Sequence, residues 1–178
     1  PGTIKDIETR IRYIENDLAA RLVAKRADRD DIARSIFEAK TKVRAFYEAL
    51  KSSVEERLET VRSDEFEVTI DASFVSMHEF PERFFELVNQ ASSGPFRGTA
   101  QGEAELESRM ADTDWNDVES VLVFAKGIIE ALRTEDVGKQ VKDIKRLYDL
   151  LFSLEYFDAR YELRLGGKNL NQLSPGEK

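Results

Sequence analysis

The residues best suited to chemistry lie at 174–177 of this 178-residue chain, where the sequence reads Ser174-Pro175-Gly176-Glu177. Serine suits the N-cap of a helix, and proline suits the first helical position, where a missing N–H costs nothing. Glu177, three residues after Ser174, can reach back and complete a capping box. A helix start with glycine in its first turn leaves N–H donors unpaired and exposes the positive end of the helix dipole, which suits phosphate. The same S-x-x-E spacing also begins ordinary helices. It recurs at Ser52/Glu55 and Ser53/Glu56, so spacing alone does not separate the two readings.

Other candidates are weaker. Glu65, Glu67 and Asp71 could pair for acid–base work. They fall, however, on the polar side of an alternating stretch, where solvent exposure is the simpler reading. His78 is the sole histidine, and there is no cysteine, which excludes disulfides, cysteine-based zinc sites and histidine-rich metal sites. His78 reads as a surface or edge residue. The stretch 91–102 is glycine-rich, but it lacks the G-x-x-x-x-G-K-[ST] spacing of a P-loop and reads as a connector or lid.

The elements that position these residues follow from periodicity. In 161–165, Tyr161, Leu163 and Leu165 alternate with Glu162 and Arg164, a half-buried strand that Gly166-Gly167 ends. A second strand is expected over 66–74, where Phe66, Val68, Ile70, Ala72 and Phe74 alternate with polar residues. Neither is stable alone, so the two are expected to share a sheet. Pro81 opens a short helix to about residue 90. Asp112 or Asp114 is expected to cap a helix to about Arg133. Another is expected from about Val137 to Leu154, with Val141, Ile144, Leu147, Leu150, Leu151 and Leu154 inward. Wide apolar stripes place both in a core. Phe84, Phe85, Phe124 and Phe152 read as core packing.

The whole string Asn169-Leu170-Asn171-Gln172-Leu173-Ser174-Pro175-Gly176-Glu177, after a strand and a Gly-Gly-Lys turn, resembles the signature loop of the ATP-binding-cassette (ABC) ATPases. It looks most like the branch that includes the SMC proteins and the coiled-coil ATPases of DNA repair and phage defence. Their usual form is Leu-Ser-Gly-Gly-Glu, and here Pro175 replaces the first glycine. The resemblance implies a loop that meets ATP in trans, held between two heads. Ser174 would hydrogen-bond the γ-phosphate, Gly176 and its neighbours would add N–H donors, and Leu173 and Glu177 would shape the loop. Lys168 and Asn171 would be accessory contacts. Pro175 removes one donor that the glycine form offers. ATP and Mg²⁺ would belong to the intact protein. This segment lacks the P-loop and the apolar run ending in Asp-Glu that would hold Mg²⁺, so it would not hydrolyse ATP alone. A helix start followed by so few residues is expected to be part of a longer protein.

Residues 3–62 contain neither proline nor glycine. Apolar residues recur in steps of three and four at Ile4, Ile7, Ile11, Ile14, Leu18 and Leu22, and again from Ile32 to Val61. One helix of about 60 residues, roughly 90 Å long, fits and is favoured. A break near 27–31 is the alternative. So narrow a stripe needs a partner helix. The resemblance implies an antiparallel partner from the same protein, while an ordinary dimeric coiled coil is the plainer reading.

The expected architecture is therefore α+β and mostly helical. A coiled-coil arm (1–62) joins a partial ABC ATPase head lobe (63–178) with a small sheet. Charged residues make up 35% and hydrophobic ones 41%, a balance that suits a long exposed helix on a smaller core. The net charge of −8 argues against a chain that is wholly a nucleic-acid surface. Residues 21–44 nevertheless carry eight basic side chains against four acids, which suits either DNA contact or a solvated face. No apolar run approaches the ~20 residues of a membrane span, and the expected compartment is the cytoplasm. The rival class is a structural coiled-coil interaction module without nucleotide chemistry.

Overall fold

The computed structural model describes residues 2–59, 68–133, 137–165 and 168–169. It is α+β and mostly helical, with a small antiparallel sheet. Helix α1 (Ile4–Asn16) starts on a capping box, in which the Thr3 hydroxyl accepts from the Asp6 N–H and the Asp6 carboxylate accepts from the Thr3 N–H. Helix α2 (Leu18–Glu59) follows after the single residue Asp17. The hydrogen-bond ladder passes through that residue, since the Asp17 N–H donates to the Tyr13 carbonyl and its own carbonyl accepts from Arg21. The long arm is thus nearly continuous. The polar stretch 27–31, where a break was the alternative, is helical throughout.

Strand β1 (Val68–Ser76) pairs antiparallel with β2 (Phe157–Leu165), from Val68 opposite Leu165 to Ser76 opposite Phe157. The two expected strands do share one sheet. They are not a hairpin, because the whole of residues 77–156 lies between them. The short β3 (Lys168–Asn169) adds to the free edge of β2, with Leu165 opposite Lys168. Lys168 therefore stands in a strand, not in the turn expected for it. Phe66, Glu65 and Glu67 lie outside the described residues.

The inserted lobe begins with α3 (Phe80–Leu87), which carries Pro81 in its first turn and buries Phe80, Phe84 and Leu87. Helix α4 (Thr99–Ala111) begins inside the stretch 91–102, whose glycines predict a loop. Glycine misled there. A Cβ at Gly102 would stand 2.7 Å from the Phe96 carbonyl oxygen, so glycine allows the helix to lie directly on the preceding chain. The bends that precede it, at Gly94 with φ of 135° and Gly98 with φ of 70°, use glycine as a loop residue.

Helix α5 (Val118–Arg133) is capped by Asp117, not by Asp112 or Asp114. The Asp117 carboxylate accepts from the N–H groups of Ser120 (3.0 Å) and Glu119 (3.4 Å). Asp114 instead accepts from the Asn116 N–H in a turn. That turn tucks Trp115 against Phe124, Tyr156 and Phe157. The single helix expected over 137–154 is two, α6 (Val137–Gln140) and α7 (Ile144–Phe152). Between them Val141 forms a β-bridge with Val88, and the Lys142 N–H donates to the Leu87 carbonyl. The chain is extended there, and Asp143 must cap a new helix by accepting from the Arg146 N–H. The shift also turns Ile144 outward, against the inward placement expected for it.

One core runs through the lobe. Phe74, Phe80, Phe84, Phe124, Tyr156 and Phe157 are buried and meet ring to ring. Phe152 is buried and Phe85 partly so, which makes the phenylalanine group packing, as expected. His78 is exposed, also as expected. No helix among the described residues is long and apolar enough to cross a membrane.

Candidate functional site

The loop singled out by its sequence, with Leu173, Ser174, Pro175, Gly176, Glu177 and Asn171, lies outside the described residues. What the structure places is its approach. Strand β2 leaves the aromatic core at Phe157, runs along β1, and pairs at its far end with β3, where Lys168 stands. The loop string begins at Asn169, the second residue of β3. One end of β2 is thus anchored in the core, and the other leads to the candidate phosphate-binding segment.

The anchored end is also where the arm docks. Ala33 and Phe37 are the arm's buried residues among those described. The Phe37 ring lies 5.6 Å from Phe74 and 5.9 Å from Phe157, so it closes a three-ring cluster over the start of the sheet. Charged side chains surround this contact. Lys40 donates to the Phe157 carbonyl at 2.9 Å and stands 3.6 Å from Asp158. Arg44 donates to the Asn116 side-chain oxygen at 2.7 Å and lies over the Phe74 ring. The same Asn116 oxygen accepts from the Phe74 N–H at 3.3 Å, so one amide ties arm, strand and the turn before α5.

Further along the arm, Asp30 accepts from both Arg29 and Lys126 at 2.7 Å, and the Arg29 guanidinium lies 3.7 Å from the Phe152 ring centre. Burial pushes the Asp30 carboxyl upward. Hydrogen bonds from Lys126 and Arg29, with their charges, outweigh that and hold it below the ordinary carboxylate range. Arg34 forms a two-pronged pair with Glu119, at 2.9 and 3.3 Å. That hydrogen bond lowers the Glu119 carboxyl and raises the Arg34 guanidinium.

These contacts account for half of the basic run. Arg29, Arg34, Lys40 and Arg44 turn toward the lobe and are paired within this chain. Sequence reasoning missed this docking face. Its signal was present, because Asp30, Ala33, Phe37, Lys40 and Arg44 recur at helical spacing on one face, but the mixture of charges hid it among solvated positions.

The rest of the arm is different. Ile4, Ile7, Ile11, Ile14, Leu18 and Leu22 are all exposed, as are Ile32, Val43 and Leu50. Among the described residues Tyr156 is the one deeply buried titratable group, its hydroxyl without a hydrogen-bond partner there and its phenol pushed far upward by burial. It packs among Phe80, Phe124 and Phe157 as part of the core. Among the described residues no group of three or more His, Cys, Asp or Glu side chains could hold a metal ion. Comparison with models of protein families, with curated proteins and with solved structures finds no match for this chain.

Proposed function

We propose that this chain is part of an SMC-like, coiled-coil ABC ATPase, and that residues 173–177 are the signature loop through which one head closes on ATP held by another. The observation that carries the reading is the string Leu173-Ser174-Pro175-Gly176-Glu177 directly after a strand pair rooted in a compact lobe. The order of parts supports it: a long arm, a strand, an inserted helical lobe, a returning strand, then the loop. Ser174 would donate its hydroxyl to the γ-phosphate. Gly176 and neighbouring N–H groups would add donors at the positive end of the helix dipole. Glu177 would hold the loop by capping, Leu173 would seat it, and Lys168 and Asn171 would touch nucleotide or the opposing head. Pro175 offers one donor fewer, so the phosphate is wrapped less completely than by a glycine loop.

The P-loop and the carboxylates that hold Mg²⁺ come, in this reading, from elsewhere in the intact protein. An antiparallel helix of the same protein covers the isoleucine stripe of the arm. The heads work as a pair in the cytoplasm. Their engagement moves the arms in DNA repair, chromosome maintenance or phage defence, with DNA as a partner.

The test is ATP-dependent dimerisation of the intact protein. Ser174→Arg is expected to abolish it while single-head nucleotide binding persists. Dimerisation that survives the substitution would remove the assignment. One observation favours a second reading, a structural coiled-coil module: the exposed stripe from Ile4 to Leu22 needs a partner helix whether or not nucleotide is involved. Self-association or partner binding indifferent to ATP would select that module.

A further inference from the structure

Beside the docking contact, the arm and the lobe enclose a second feature that the reading above does not use. A cavity of about 190 Å³ opens where α2 crosses α5 and α7. Its walls carry Arg26, Arg29, Asp30, Lys126, Glu130 and Arg133. The four cations are not equally engaged. Arg29 and Lys126 share Asp30. Arg133 donates to the neutral hydroxyl of Tyr148 at 3.1 Å and meets no carboxylate within ion-pair distance among the described residues. Arg26 is half-buried in the crease and has neither a hydrogen-bond nor an ion-pair partner among the described residues. Both oxygens of Asp30 already accept from cations, so its charge is spent inward. Glu130 is the remaining carboxylate, and the crease keeps two positive charges in excess.

We infer that this crease binds a phosphate-type oxyanion, with Arg26 from the arm and Arg133 from the lobe as its principal donors and Lys126 adding charge. Guanidinium groups suit that ligand, because their planar fork matches oxyanion geometry and their charge survives at every physiological pH. The anion would bridge two elements that already meet there through Asp30 and through Arg29 over the Phe152 ring, so its presence would strengthen the docking of arm on lobe. A free phosphate and a phosphodiester of a nucleic-acid backbone present the same oxygens. The site does not depend on the nucleotide reading of residues 173–177.

The test is calorimetric titration of the intact protein, without nucleotide and at fixed ionic strength, with inorganic phosphate in one arm and a short duplex DNA in the other. Arg26→Gln and Arg133→Gln are each expected to weaken binding about tenfold or more, the loss expected for one charge-assisted hydrogen bond. Glu130→Gln removes the opposing charge and is expected to tighten binding, a change of sign that a loss of folding cannot imitate. Saturable binding of phosphate that responds to these substitutions assigns a free oxyanion. Binding of the duplex alone, with the same response and a salt dependence reduced in the arginine variants, assigns a nucleic-acid backbone. No saturable binding of either probe, or binding that neither arginine substitution weakens, overturns the inference.

Discussion

The two stretches 4–23 and 29–44 belong to the same nearly continuous arm and have similar polarity, yet the structure uses them in opposite ways. In 4–23 every isoleucine and leucine of the stripe is exposed and no residue of α1 is buried. In 29–44 the arm buries Ala33 and Phe37, turns four basic side chains onto the lobe, and leaves the stripe residues Ile32 and Val43 outside. The docked face and the apolar stripe are therefore two neighbouring strips of one helix. The lobe takes the strip with aromatic and charged contacts. The aliphatic strip stays open from Ile4 to Leu22 and at Ile32, Val43 and Leu50, with Ile36 half-buried at the lobe's edge, which is the pattern of a helix that meets two different surfaces.

Substitutions can break or sharpen this contrast. Phe37→Ala removes the one large arm side chain from the three-ring cluster and is expected to cost about 3–5 kcal/mol, read as a lower denaturation midpoint. A cost near zero would mean that the arm is not docked. Asp30→Asn leaves Arg29 and Lys126 without their carboxylate in a partly buried place and is expected to cost roughly 1–3 kcal/mol.

The same substitution predicts a pH effect with a definite sign. The folded Asp30 carboxyl lies below its unfolded value, so it contributes stability above the ordinary carboxylate range. That contribution is lost as pH falls through the lowered folded value. Acid titration of Asp30→Asn should accordingly show a shallower loss of stability than the parent chain. An unchanged slope would remove Asp30 from the acid response.

Arg34→Ala, Glu119→Ala and their double variant test an exposed pair. Its coupling in a double-mutant cycle should be small and shrink as salt is raised. The smallest effect is expected in the open stretch. Ile11→Gln should change the stability of this chain by no more than about 0.5 kcal/mol. In the intact protein the same substitution should cost more, because the proposed partner helix would cover Ile11.

Much of the fold was legible. Alternation marked β1 and the far half of β2, a helical period free of proline and glycine marked the arm, and Pro81 marked the start of α3. What was not legible depended on contacts between segments distant in sequence. Gly102 read as a loop residue because its reason for being glycine is the Phe96 carbonyl. Asp117 outcompeted Asp112 and Asp114 as a cap because Trp115 had to reach the core. The extended link at Val141 exists because Val88 pairs with it. The basic run hides its docking face, because charged residues on either side of Ala33 and Phe37 make that strip look solvated. For the candidate site the balance is reversed. The loop at 173–177 is known through its residue string, and the structure contributes the strands that lead to it.

The most direct test of the nucleotide reading uses two disabled forms of the intact protein. One carries Ser174→Arg, and the other carries a substitution of the P-loop lysine. Each alone should fail at ATP-dependent dimerisation and ATP hydrolysis. If the loop acts in trans, an equimolar mixture forms heterodimers in which the intact P-loop of one protomer faces the intact loop of the other, and part of the ATPase activity returns. A mixture as inactive as its components would contradict the account, because it would mean that residues 173–177 do not complete a site on a second head.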